Sequence, residues 1–179
     1  MSELRAMPWI GEHSVLDVAN TIAVGAGSGR TDVDLFTVPE LLERWRRAAL
    51  DRGVAALPVA RLAELRELVS AVLDHLDRHV PLTAQLRADL NALVAAAPVV
   101  LALDGDAQLT YRPLGGDAGA TLGRDVIGLL TGPDRERVRR CRASGCGMFF
   151  LARRRDQTWC SIGCGNRVRA QRQQAARIR

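Results

Sequence analysis

Cys141-Arg-Ala-Ser-Gly-Cys146-Gly and Cys160-Ser-Ile-Gly-Cys164-Gly-Asn-Arg167 are the stretches that decide how this chain is built. They read Cys-x4-Cys-x13-Cys-x3-Cys, and none of the other positions among the 179 is a cysteine. Two close pairs with a short insert suit a tetrahedral zinc ion, because each pair offers two thiolates from one turn. Protein sulfur fills all four positions, so the site is closed to water and substrate and reads as structural. Two disulfides are the alternative pairing, and it belongs to oxidising compartments.

The module around these cysteines can be read residue by residue. Gly145 and Gly147 let the backbone turn so that amides face the sulfurs of a knuckle. Met148 to Leu151 predicts a strand, residues 152–157 a turn, and Thr158-Trp159 a return, forming a short hairpin between the ligand pairs. Cys160 and Cys164 open a final helix, whose dipole favours thiolate. Knuckle, hairpin and helix make a treble-clef-like arrangement. About 40 residues bury too little apolar surface to fold unaided, so one zinc ion should supply the missing stability. Phe149, Phe150 and Trp159 are expected to form its small core; stacking on bases is the other use for such aromatics.

Charge separates the same module from the rest. Residues 1–133 hold 12 Arg against 17 acidic residues, a net −5, while residues 134–179 hold 13 Arg against 3, a net +10. Four thiolates and a divalent ion would lower the second figure to +8 without removing the asymmetry. At about 100° per residue from Cys164, Val168, Gln171, Ala175 and Ile178 fall on the metal side of the last helix. Asn166, Arg169, Gln173 and Arg177 fall outward, flanked by Arg167 and Arg172. These side chains, with Arg153, Arg154 and Arg155 at the hairpin tip, are the donors that contact phosphates and base edges. DNA is the expected partner, RNA presents the same phosphates, and a solvated arginine face is the bland alternative.

Residues 1–133 read as a mainly helical domain with one small β-hairpin, giving an α+β chain with a boundary at Gly132-Pro133. Ser14 is expected to cap a short helix through Ile22, and Thr37-Val-Pro-Glu40 has capping-box spacing ahead of a helix reaching Gly53. Leu62, Leu65, Val69, Val72, Leu76 and Val80 form an apolar stripe on a helix over about 59–80. Thr83 can cap the next helix, and another runs from about Asp117 to Leu130. Val99 to Leu103 and Leu109 to Pro113 flank Asp104-Gly105, whose glycine would supply the positive φ of a tight turn. No apolar run approaches the roughly 20 residues of a membrane span, and the N-terminus lacks a signal-peptide pattern, so a cytoplasmic setting is expected.

Cys160-Ser-Ile-Gly-Cys164-Gly-Asn-Arg167 followed by an arginine-rich helix resembles the CGNR zinc finger, and Arg140 to Leu151 resembles that family's first half. Leu16-Asp-Val-Ala-Asn20-Thr21 is similar to the Leu-Asp-x-x-Asn-Thr motif of the ABATE domain, which commonly precedes this finger. The resemblance implies a transcription regulator of the stress response, with DNA contact inferred in the family largely from the same basic finger. The arginines between Ala152 and Thr158 stand where relatives often carry Ser, Asn or Thr.

For the N-terminal part, two roles remain open. Asp17, Asn20 and Arg30 could line a pocket for a small effector, making this a sensor domain, or Asp17 and Asn20 could tie loop backbone to helix. Dimerisation is a further job for such a domain. His75 and His79 sit at i, i+4 but lack a third ligand. No Walker loop, nucleophile elbow or dinucleotide fingerprint occurs, so the expected function is not enzymatic. A regulator that grips DNA is the main expectation; a protein-interaction adaptor or an RNA-binding protein built on the same zinc module is the alternative.

Overall fold

The computed structural model describes residue 7 and residues 9–23 and 32–177. Its helices and small two-stranded sheets give an α+β fold. Helix α1 (Ser14–Ala19) is buried along its whole length. His13, not Ser14, caps it: the His13 ring accepts from the Val15 N–H at 3.2 Å. Ser14 instead donates to Asp125 at 2.5 Å. The helix stops at Ala19, and Ile22 enters strand β1 (Ile22–Ala23), paired with β2 (Val33–Asp34).

Helix α2 (Pro39–Ala48) begins at a proline, which already has helical φ and no orphan N–H to lose. The expected capping box is absent, because the Thr37 hydroxyl donates back to the Asp34 carbonyl and leaves the cap at Val38 bare. The helix ends at Ala48, and a separate turn, α3 (Arg52–Ala55), follows with Asp51 as its cap. Trp45 is fully buried, meets Phe36 edge-on at 5.1 Å and donates its indole N–H to the Asp17 carbonyl at 2.8 Å.

The central helix is α4 (Val59–Asp77). Its stripe of Leu62, Leu65, Val69, Val72 and Leu76 is buried, as the three-and-four spacing predicts. Val80 lies outside the helix and is half-exposed, because the chain leaves at His79 with φ of 55°. Arg66 is buried in the same helix. It survives there by pairing with both oxygens of Asp34 at 2.7 and 2.8 Å and lying over the Phe36 ring at 4.8 Å. Burial alone would raise the Asp34 carboxyl, but hydrogen bonds from Arg66 and the Phe36 N–H outweigh it and hold the group below its ordinary range.

Helix α5 (Ala84–Ala95) is capped by Thr83 as expected, and α6 (Ala118–Thr131) by Asp117. Between them lies the hairpin of β3 (Val99–Leu103) and β4 (Leu109–Pro113). Its turn is not the tight Asp-Gly type. The positive φ falls on Ala107, at 58°, and the Asp104 carboxylate organises a longer loop by accepting from the Asp106 and Gln108 N–H groups.

After a short 3-10 turn (Pro133–Arg137), β5 (Val138–Arg140) pairs with β6 (Phe149–Leu151). The sequence pattern predicts that β6 returns to Thr158-Trp159. Instead β6 pairs backwards with the segment before Cys141, so the first two cysteines sit in the loop of the β5–β6 hairpin. The Thr158 carbonyl accepts the Arg142 N–H at 3.2 Å. The chain closes with α7 (Ile162–Arg177).

Candidate metal centre and basic arm

The knuckle forms because Gly145 and Gly147 take φ of 70° and 113°, which side-chain-bearing residues rarely adopt. Cys141 N–H donates to the Met148 carbonyl at 2.8 Å and Cys146 N–H to the Ala143 carbonyl at 3.0 Å, which closes the turn. Cys160 lies just ahead of α7 and Cys164 in its first turn. The four sulfurs lie within 4.8 Å of one another. Cys160 Sγ is 3.6 Å from both Cys146 Sγ and Cys164 Sγ. That is far beyond a disulfide bond of about 2.05 Å. It suits a tetrahedron of sulfurs about 2.3 Å from one zinc ion, whose edges are about 3.8 Å.

The surroundings are those of a charged thiolate cluster. Hydrogen bonds from Cys146 and Cys160 pull the Cys141 thiol down, and the same bonds push Cys146 and Cys160 above the usual thiol range. Sulfurs this close cannot all be anionic without a cation among them. Cys160 N–H donates to Cys141 Sγ at 3.4 Å, and the Arg167 guanidinium lies 3.0 Å from Cys164 Sγ. Arg167 was expected at the nucleic-acid face; here it offsets thiolate charge. Cys141 and Cys164 are buried with Ala143, Phe150 and Ala152, against Trp159 and Val168. The donor set, its spacing and its supporting hydrogen bonds fit one structural zinc ion.

Phe149 does not belong to this small core. Neighbouring residues on a strand face opposite ways. Phe150 meets the zinc cluster, whereas Phe149 enters the main core with Val15, Val69 and Val138. Three further links join the module to the body. The Asn20 side chain donates to the Phe149 carbonyl at 2.9 Å and accepts the Phe149 N–H at 2.8 Å. Asp77 accepts the Arg140 N–H and the Arg142 guanidinium, both at 2.8 Å. Asp74 accepts from the Arg140 guanidinium at 2.8 Å, and Arg140 also covers the Phe149 ring. Asp74 and Asp77, at i and i+3 near the end of α4, carried no sequence signal beyond their spacing.

Asp17 and Asn20 thus serve backbone. Asp17 accepts the Gly11 N–H at 2.7 Å and the Leu50 N–H at 2.8 Å, while burial raises its carboxyl above the ordinary range. Arg30 lies outside the described residues. A cleft of about 420 Å³ opens elsewhere, beside His13, Ser14, Asp125 and Leu129. His75 and His79 gather no third ligand among the described residues; His75 Nδ1 contacts the Ala71 carbonyl at 2.8 Å.

The arginines divide into two sets. Arg153 bonds Glu12 at 3.2 Å, and Arg169 bonds the Asn166 amide oxygen. Arg154, Arg155, Arg172 and Arg177 are exposed, and their guanidinium groups make no hydrogen bond or ion pair to another described residue. Val168 is the last half-buried residue of α7, and Gln171 and Ala175, expected on the metal side, are exposed; Ile178 lies outside the described residues. From residue 169 onward the helix is an exposed arm.

No curated protein matches the chain as a relative. The CGNR zinc finger model matches residues 137–177. The ABATE model, described as "Putative stress-induced transcription regulator", matches residues 12–133. With most of its length matched by the ABATE model and its four-sulfur site by the CGNR model, the chain belongs to the ABATE family and carries a C-terminal CGNR zinc finger.

Proposed function

We propose that this zinc-binding protein is a DNA-binding regulator whose contact surface is the exposed part of α7 together with the Arg153–Arg155 turn. The observation that carries this reading is the arm itself: Arg172 and Arg177 stand exposed on a helix whose first turn is bolted to the metal site. A guanidinium held in this way reaches phosphate without giving up an existing partner. Arg154 and Arg155 add a second cationic point. Zinc would serve by folding the platform; the closed sulfur set leaves no position for substrate, and no catalytic role is assigned.

The regulator reading leaves the N-terminal part to sense or to pair. Asp17 and Asn20 are occupied by backbone, so an effector pocket would have to be sought at the cleft beside Ser14 and Asp125. An adaptor role is less favoured, because Asp74 and Asp77 already neutralise Arg140 and Arg142 within the chain and leave less opposite charge for outside partners.

The test is duplex binding across salt. Affinity should fall with a log–log slope of about −0.9 for each phosphate neutralised. Replacing Arg172 and Arg177 by Ala should shallow that slope by about 2 while zinc stays bound. An unchanged slope in the double variant would remove the arm from the contact surface, and stronger competition by structured RNA than by duplex would favour the RNA reading.

A further inference from the structure

The β3–β4 hairpin carries an apolar face that nothing in the described chain covers. Leu101 and Leu103 are 69% and 70% exposed, and Leu109 and Tyr111 are 56% and 64% exposed. They share one face because Leu101 lies opposite Tyr111 and Leu103 opposite Leu109. Val99, opposite Pro113, extends the patch toward the base of the hairpin. On the other face Val100, Ala102 and Thr110 are half-buried.

The hairpin is held stiffly at its root. Gly116, with φ of 90°, packs so closely on Ala97 that an added Cβ would come within 2.0 Å of the alanine methyl. Leu114 N–H donates to the Pro98 carbonyl at 2.7 Å, and Arg124 donates to the Ala97 carbonyl at 2.8 Å. Beyond that root only two strands remain, which is marginal in water without a cover. The outer edge of β3, Val-Val-Leu-Ala-Leu, has neither proline nor charge to protect it.

We propose that the free β3 edge, with the apolar side chains that flank it, forms the interface between two copies of the chain, paired about a twofold axis through antiparallel β3 strands. Pairing about Leu101 would make one four-stranded sheet, satisfy the free edge and set Leu101 against Leu101 and Leu103 against Val99 of the other copy. Charge supports self-pairing. Asp104 and Asp106 lie at the hairpin tip, while Arg124 lies at its root, on the Ala97 carbonyl. Antiparallel pairing sets the tip of one copy beside the root of the other, matching opposite charges. The same two tip carboxylates oppose an anionic lipid surface.

Sedimentation equilibrium on the zinc-loaded full chain, without nucleic acid, tests this separately from the regulator reading. The wild type should reach the mass of two chains at micromolar concentration. Leu101→Asp and Leu101→Arg, each at an exposed site and each with its zinc content checked, should weaken association about 100-fold. An equimolar mixture of the two should associate again. A wild type that stays at the mass of one chain, a Leu101→Asp protein that sediments like wild type, or a mixture that stays monomeric would each overturn the proposal.

Discussion

Both hydrogen-bonding atoms of the Asn20 amide are used on one residue, Phe149, which lies 129 positions away. The amide thereby satisfies a backbone donor and acceptor at a place where both are buried. Removing it leaves two unpaired polar groups, each costing about 1–3 kcal/mol. Asn20→Ala should therefore lose about 2–6 kcal/mol in urea unfolding, and Asn20→Asp, which cannot donate, should not restore it. A loss below about 0.5 kcal/mol, the size of an ordinary surface change, would contradict this role. The sequence showed Asn20 and Asp17 as polar residues in an apolar run, but not their partners, because both act across loops. Arg66 was less legible still: a buried arginine on an apolar helix reads as a surface position until Asp34 is seen opposite it.

At the scale of elements, β6 joins two cores because its side chains alternate. Phe149 supports the body and Phe150 the sulfur cluster. Phe149→Ala should cost about 3–5 kcal/mol of global stability with zinc stoichiometry unchanged. Phe150→Ala should weaken zinc retention against a chelator. Equal effects of both variants on both readouts would contradict the division. The alternation was available from two adjacent phenylalanines in a predicted strand. The partner of that strand was not, because Val138-Arg-Arg140 carries two charges, of which Arg140 ion-pairs with α4. Helices with clear stripes and caps, such as α4, α5 and α6, were legible because their signals are local. The end of α4 was not, since the chain turns at His79 through backbone bonds that leave no residue signature.

Over the whole molecule, the charge split has two meanings. Part of the positive excess in residues 134–179 is matched inside the chain, through Arg140 and Arg142 on α4 and Arg153 on Glu12. Most of the rest among the described residues lies on the turn after β6 and along α7, where it is exposed. Total charge was plain in the sequence, but its division between internal pairing and free surface depends on contacts between distant segments. The zinc site was legible almost entirely, because four cysteines at fixed spacing constrain one another. Its load reaches beyond the finger, since Phe149, Asn20 and Asp77 bind the module to the body.

The most direct test of the account is zinc stoichiometry by native mass spectrometry, combined with hydrogen exchange before and after chelation. The account predicts one zinc per chain. It also predicts that chelation releases the amides of α7 and of the β5–β6 hairpin together, with α1 and the end of α4 losing protection next. Zinc well below one per chain in a native preparation, or chelation that leaves β5–β6 and α7 protected, would contradict it.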